Sequence, residues 1–445
     1  MKGVVEIWLE RGTIMDLKEM AVRSRAAFET LSAAPAAQRN RVLSEMVDAL
    51  ESDRDKIFRA NEGDLRAAEA EHLAAPLLKR LKFDGEKLRQ VQAGLRALAD
   101  LPDPIGQTQF CHEITEGLKL YRVACPIGVL GIIFESRPDA LIQIASLAIK
   151  SGNTALLKGG REALGTNQAL IRCVRRALEA AGLMADCAQL LETREDVASM
   201  LKEDELIDLI IPRGSNAFVR YIMDNSRIPV LGHADGICHV YVDRGADLEK
   251  AWKVALDSKV QNLSVCNAEE TLLVHRDIAG DFLPRFADLL RQHQVEIRGD
   301  EATRRIIDCL PATEEDWSTE YLDAILSIRV VENLDAAIRH INHYGSHHTD
   351  CILTEDEAAA REFLNRVDSA GVYWNVSTRF ADGFVYGLGA EVGISTGKLH
   401  ARGPMGLDGL TTYKYKLLGS GQTMAEMKSG QRHYTHRVLR EDCPI

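Results

Sequence analysis

Between Asp16 and about Asp100, apolar residues recur three and four positions apart, as at Val42, Met46, Leu50 and Ile57, a spacing that lines one face of an α-helix. The stretch predicts several amphipathic helices in succession. Leu101-Pro102-Asp103-Pro104-Ile105-Gly106 then ends the pattern, because Pro and Gly stop helices and open a new element. After Leu118 the pattern changes to short apolar runs alternating with helical periods. Strands are predicted at 129–134, 154–158, 206–211 and 240–243, with helices at 139–150 and 165–181. A second series follows, with helices at 246–259, 281–292 and 334–340 and strands at 271–275, 325–331 and 371–375. Such alternation predicts parallel sheets of the α/β class, here as two successive units. No repeat of fixed period and no low-complexity tract interrupts it. Residues 1–14 read as an upstream extension, since Met15-Asp16 is itself a plausible start before the first helix.

Composition narrows the classes of partner. A chain of 445 residues has room for two or three domains, each with its own core. The net charge of -12 disfavours nucleic acid and anionic membrane surfaces, whose attraction is for basic proteins. No apolar run approaches the roughly 20 residues that span a bilayer, and the N-terminal run is broken by Glu6 without a signal-cleavage pattern. Nine scattered cysteines, odd in number and without a Cys-x-x-Cys pair, read as free thiols in a reducing compartment, so a cytoplasmic protein is expected.

Three segments carry candidate chemistry. Cys266 lies in Ser258-Lys259-Val260-Gln261-Asn262-Leu263-Ser264-Val265-Cys266-Asn267, between a predicted helix and the strand at 271–275, where α/β loops present side chains to a cleft. A single cysteine usually packs as a small inert hydrophobe, and a reactive one needs a nearby cation, helix end or cofactor. Lys259 is the nearest candidate cation in sequence. Lys158-Gly159-Gly160-Arg161 follows one predicted strand and Pro212-Arg213-Gly214-Ser215-Asn216 another, both at strand-to-helix turns where a nucleotide phosphate or a plain solvated turn would fit. His340, His343, His347 and His348 cluster at a helix end, but no acid or Cys ligand stands at a recognised spacing, so no metal is expected.

The run from Ala124 through Gly131-Ile132-Ile133-Phe134-Glu135-Ser136-Arg137-Pro138 to Asp139, the segment Lys150-Ser151-Gly152-Asn153-Thr154, the Val265-Cys266-Asn267 loop and Tyr373-Trp374-Asn375-Val376-Ser377-Thr378-Arg379-Phe380 resemble the gamma-glutamyl phosphate reductases, a branch of the aldehyde dehydrogenase superfamily. So does the stretch from Phe384 to Gly393 and on through Lys398-Leu399-His400-Ala401-Arg402-Gly403-Pro404 to Leu407. The likeness extends from Asp16 to about Gly419. It implies an aldehyde dehydrogenase-like α/β fold with a Rossmann-like cofactor domain over residues 1–110 and 125–243. A catalytic domain would take 244–375, a return segment to the cofactor domain 376–404, and a β-hairpin oligomerisation arm 111–124 with 405–445.

The same resemblance implies NADPH-dependent reduction of L-glutamyl 5-phosphate to L-glutamate 5-semialdehyde in proline biosynthesis. Cys266 matches the nucleophile, with Ser136 and Asn267 as oxyanion or supporting residues. Lys158, Gly160, Arg161, Gly214, Ser215 and Glu320 match cofactor positions; a cation at 161 suits a 2′-phosphate where NAD-preferring relatives carry an acid. Arg379, Arg402, Ser377 and Thr378 are the substrate candidates, with the phosphate and the α-carboxylate left undivided between the two arginines. Gly232 aligns with the general-base Glu of hydrolytic members, so water activation is missing, and Asn262-Leu263 replaces an Arg-Pro of some relatives. A homo-oligomer is expected, and glutamate 5-kinase is a candidate partner. The alternatives are a hydrolytic or CoA-independent aldehyde dehydrogenase of another substrate, which the glycine at 232 disfavours, and a non-catalytic nucleotide-binding subunit.

Overall fold

The computed structural model describes residues 16–135, 137–193, 195–214, 216–232, 235–388 and 391–445. The chain divides into two compact units: Met1–Gly214 with Ile222–Val230 and Leu410–Ile445, and Ser215–Tyr221 with Leu231–Gly409.

In the first unit the amphipathic stretch forms the helices Leu17–Ala33, Ala36–Ser52, Arg54–Ala70, Ala75–Leu81 and Gly85–Asp100. Val42, Met46, Leu50 and Ile57 are fully buried, as their spacing requires. Pro35 precedes the second helix, and the Asp84 carboxylate caps the fifth by accepting from the Glu86 and Lys87 N–H groups. The chain then enters a four-stranded parallel sheet, ordered Ala188–Leu191, Thr154–Lys158, Val129–Ile133, Leu209–Pro212. Its two middle strands are buried along their whole length, so they read as unbroken apolar runs rather than alternating ones. The strand predicted from residue 206 begins only at Leu209, because Leu206 and Ile207 close a turn onto the Glu203 carbonyl.

A separate antiparallel sheet is ordered Thr411–Leu418, Leu118–Pro126, Thr108–Thr115, Arg437–Leu439. Its hairpin is longer than residues 111–124, and Gly117 turns it with φ 74°, a conformation costly for residues with a Cβ.

The second unit is built on a seven-stranded parallel sheet in the order Leu310–Pro311, Glu296–Gly299, Ile325–Val331, Glu269–His275, Cys238–Val242, Thr349–Leu353, Gly371–Trp374. Side chains alternate across it. Val240, Leu272 and Val274 pack with Phe282 and Phe286 on one face, and Tyr241 and Leu273 with Ile338 and Phe363 on the other.

Two sequence expectations change here. The strand near 240–243, grouped with the first series, is Cys238–Val242 and belongs to this sheet, hydrogen-bonded between Glu269–His275 and Thr349–Leu353. Residues 376–404, expected to return to the cofactor domain, stay in the second unit, held by bonds such as Thr378 Oγ1 to the Asn267 carbonyl and Arg402 to Asp368. Among the described residues, no helix is long and apolar enough to cross a membrane.

Candidate active site

The helix Leu248–Val260 ends where Gln261 N–H bonds the Asp257 carbonyl at 3.3 Å, and the strand Glu269–His275 starts eight positions later. Between them the Asn262 side chain accepts from Ser264 N–H at 3.2 Å, and Ala268 N–H bonds the Val265 carbonyl at 3.0 Å. That last bond closes a four-residue turn with Cys266 and Asn267 as its central pair. Cys266 is therefore presented at the tip of a turn and is half-buried. The other thiols are placed differently. Burial pushes Cys173 up to about 11 and both Cys187 and Cys351 up to about 12, which keeps them protonated and inert at neutral pH.

Two residues missed in the sequence reading hold the turn from behind. Gly236 lies so close that a Cβ there would stand 2.5 Å from both Cα and Cβ of Cys266. Cys238, two residues on, donates its thiol to the Cys266 carbonyl at 3.3 Å. Only the glycine was detectable in advance, as a small residue beside Asp235 in a segment without periodicity.

One cation whose charge interacts with that of Cys266 is Arg379. Burial pulls the Arg379 guanidinium below its ordinary value, and the charge of Cys266 opposes that shift, followed by Asp382 and Asp257. A cation so coupled favours the thiolate. Arg379 Nε donates to Gln261 Oε1 at 2.9 Å, and its terminal nitrogens meet no hydrogen-bond partner among the described residues. Lys259 is fully buried and paired with Glu270 at 2.6 Å. Its position one residue before the helix end turns it to the interior instead of the loop tip.

Of the remaining substrate and oxyanion candidates, those described occupy distinct places. Asn267 is buried, and its side-chain amide donates to the Ala381 carbonyl at 2.9 Å, so it fastens residues 378–381. Thr378 is fully buried with its hydroxyl on the Asn267 carbonyl at 2.7 Å, and Ser377 is buried with its hydroxyl 3.2 Å from that of Ser258. Both hydroxyls tie the Arg379 segment to the Cys266 loop and the helix before it. Arg402 pairs with Asp368 at 3.1 Å, a carboxylate held below its usual range by Lys398 and then by Arg402 itself. Ser136, the other oxyanion candidate, lies outside the described residues, as does Ser215.

Glu320 sits in an irregular segment of the same unit, where its Oε2 accepts from Asn216 Nδ2 at 2.7 Å. Burial raises its carboxyl, while Asn216 and the Gly236 N–H act in the opposite sense. Glu320, Gly236 and Cys266 thus form one connected path.

In the first unit, Lys158 ends the strand Thr154–Lys158 and is buried, with Nζ donating to the Gly159 carbonyl at 2.6 Å. A Cβ at Gly159 would run into Asn167 and Phe134, so the turn after that strand is kept bare. Gly160 precedes the short turn Arg161–Ala163, and Arg161 makes an exposed pair with Glu71 at 2.7 Å. Such a pair is weak and readily exchanged for a phosphate. Arg213 N–H bonds the Ile133 carbonyl at 2.7 Å, which places Gly214 just past the end of Leu209–Pro212. In chain order the four strands run outward from Val129–Ile133 in both directions, and nucleotides bind beyond the carboxyl ends of strands at such a reversal. Lys158 and Gly214 stand at those ends, so the residues fit a dinucleotide.

The histidines disperse instead of converging. His340 is buried with Nδ1 3.0 Å from Arg329, and burial, then His239 and Arg329, depress it to about 2. His348 Nδ1 lies 2.9 Å from Thr349 Oγ1. Among the described residues, no group of three His, Cys, Asp or Glu is placed to hold a metal.

A family model described as "Aldehyde dehydrogenase family" matches residues 3–305. The chain is 55% identical to the gamma-glutamyl phosphate reductase of Ruminiclostridium cellulolyticum over 96% of this chain and 98% of that protein. It is also 55% identical to that of Pelotomaculum thermopropionicum, over 97% and 99%. The crystal structure of gamma-glutamyl phosphate reductase from Thermotoga maritima superposes with a TM-score of 0.90 at 41% identity, covering 92% of this chain and 100% of that one. With its sheets, its Cys266 turn and these relatives in agreement, the chain belongs to the aldehyde dehydrogenase family, in the branch formed by the gamma-glutamyl phosphate reductases.

Proposed function

We propose that this chain reduces L-glutamyl 5-phosphate to L-glutamate 5-semialdehyde, releasing phosphate, through a thioester on Cys266. The observation that carries the reading is Cys266 at the tip of its turn, in electrostatic contact with Arg379, whose terminal nitrogens have no hydrogen-bond partner among the described residues. The Cys266 sulfur attacks the γ-carbonyl carbon, the carbon–oxygen bond to phosphate breaks, and phosphate departs with the electron pair. Splitting one difficult displacement into two steps is the gain of covalent catalysis. The Cys266 N–H is the donor we assign to the developing oxyanion, and Arg379 the cation for the phosphate or the α-carboxylate. Gly232 has no side chain with which to activate water, so the thioester persists until it is reduced.

A nicotinamide cofactor accompanies the aldehyde dehydrogenase family, and we assign NADPH as its form. When bound, it supplies the hydride that makes the thioester carbon an aldehyde. Lys158, Gly160, Arg161 and Gly214 would hold it, with Arg161 exchanging Glu71 for the 2′-phosphate, and Glu320 is the residue we assign to the nicotinamide ribose. The thiolate is the group released when the product aldehyde forms. The place is proline biosynthesis in the cytoplasm, downstream of a glutamate 5-kinase. The protein would act as a homo-oligomer joined through the antiparallel sheet of Thr108–Thr115, Leu118–Pro126 and Thr411–Leu418.

The test runs the reaction backwards with glutamate 5-semialdehyde and NADP⁺, following NADPH with and without phosphate. Formation only with phosphate, lost in Cys266→Ala, is the expected result. Equal formation without phosphate means a hydrolytic dehydrogenase instead.

A further inference from the structure

Lys259 and Glu270 are both fully buried, joined at 2.6 Å, and have no part in the chemistry above. One stands near the end of the helix before the nucleophile loop, the other in the first turn of strand after it. Removing two charges from water is costly, and an apolar pair of the same volume is often as stable or more so, which directs attention to what the pair holds.

It holds the segment after Glu320. The second oxygen of Glu270 accepts Leu322 N–H at 3.2 Å. The Lys259 ammonium sits 5.9 Å from the centre of the Tyr321 ring, and the Tyr321 hydroxyl is fixed by Asp316 and Ser327, each at 2.7 Å. Leu322 has φ 52°, in the left-handed region that branched residues avoid, and such a conformation persists only where the surroundings enforce it. Between the turn Glu315–Ser318 and the strand Ile325–Val331 no regular structure supports residues 320–322.

We propose that Lys259 and Glu270 are positioning residues that, by gripping Tyr321 and Leu322, set the Glu320 carboxylate for the cofactor ribose. The proposal rests on Glu320 being the ribose ligand, as argued above. The groups facing Glu270 are Lys259 from the helix, Glu320 from the irregular segment, Glu269 beside it and Cys238 from the neighbouring strand. Burial pushes Glu270 up to about 7 against the pull of Lys259, so the grip slackens as pH falls through neutrality.

Direct titration of NADPH by fluorescence, with iodoacetamide alkylation of Cys266 run in parallel, tests this on the full-length protein. Glu270→Gln should raise the NADPH Kd at least about tenfold, since misplacement by about 1 Å is enough for such losses. Alkylation should be unchanged. The wild-type Kd should rise as pH falls below about 7, and the variant should lose that dependence. Lys259→Met with Glu270→Leu replaces the pair by apolar groups and serves if the single variant does not fold; it too should weaken NADPH. Glu320→Gln separates the two layers of argument. If it weakens NADPH while the Glu270 and double variants bind normally, the positioning role is wrong. If none of the three weakens it, the ribose assignment of Glu320 falls first. Parallel loss of alkylation and affinity would reveal a structural pair and also overturn the proposal.

Discussion

Gly236 and Cys266 are packed backbone to backbone, with 2.5 Å separating the place of a Cβ at 236 from the nucleophile's Cα. No rotation of a side chain relieves such a clash, because the obstructing atoms are main chain or adjacent to it. The consequence reaches in two directions, since Gly236 N–H also bonds Glu320. Gly236→Ala should therefore move the turn and the carboxylate together. The expected loss in kcat/KM of the reverse reaction is about a hundredfold, the scale of a misplacement near 1 Å. Iodoacetamide should report a changed alkylation rate at Cys266. Wild-type values for both would show that the contact is dispensable.

Arg379 and Arg402 looked equivalent as candidates, and the structure separates them. Arg379 is half-buried, coupled to Cys266 and without a partner for its terminal nitrogens among the described residues; Arg402 is joined to Asp368. A charge-assisted bond contributes about 1.5–3 kcal/mol, or roughly tenfold to a hundredfold in rate or affinity. Arg379→Ala should lower kcat/KM by at least that factor, with Arg379→Lys recovering only part because the fork that bonds Gln261 is lost. Arg402→Ala should change kcat/KM by less than about tenfold, because an exposed pair contributes little. The reverse ranking in steady-state kinetics would assign the anion site to Arg402.

Much of this architecture was legible because parallel strands buried on both faces leave plain apolar runs, as at Val129–Ile133 and Ile325–Val331. Thr349–Leu353 was not, although it is equally buried. Its Asp350 looks like a surface residue until the His239 N–H, at 2.8 Å, and the Ser369 hydroxyl are seen to satisfy it. Helix ends were similarly obscured: the helix expected from residue 281 begins at Arg276, because the His275 side chain caps it by accepting from Asp277 N–H. The order of strands within a sheet is set by crossovers and has no local signature, which is why Cys238–Val242 was grouped with the wrong series. At the site, the loop of Cys266 was visible but its electrostatic contact with Arg379 was not. Proximity in sequence favoured Lys259, whereas a helix directs that residue inward and the fold brings Arg379 from a distant segment. The motif from Lys150 to Thr154 is architectural: Asn153 joins Gly128 N–H to the Leu410 carbonyl, and Lys150 Nζ binds Asn40 and the carbonyls of Ala99 and Leu101.

The antiparallel sheet offers a test of assembly. Thr411–Leu418 is an edge strand whose Tyr413, Tyr415 and Leu417 are all about half exposed. Apolar rows on open edges are protected in native proteins by charge or by a partner. Tyr415→Lys with Leu417→Lys should lower the mass measured by light scattering to that of one chain, without loss of secondary structure by circular dichroism. An unchanged mass would remove this edge as the proposed oligomer contact.

Asp316 provides a pH test of the segment that carries Glu320. Its carboxylate is buried, which alone would raise its pKa, but the Thr313 N–H, Arg298 and Tyr321 outweigh burial and hold it at about 2. A carboxyl depressed from its ordinary value of 3.8 to about 2 contributes roughly 2.5 kcal/mol of stability at neutral pH. Because the folded state binds the proton more weakly than the unfolded chain, the contribution is complete well above pH 4 and disappears as pH falls through about 2; near pH 3 about half remains. Asp316→Asn should lower unfolding free energy in urea by about 2 kcal/mol at pH 7. The gap between variant and wild type should narrow by about half at pH 3. A gap independent of pH would mean that the carboxylate is held by shape rather than by charge, and that Arg298 and Tyr321 do not depend on its ionisation.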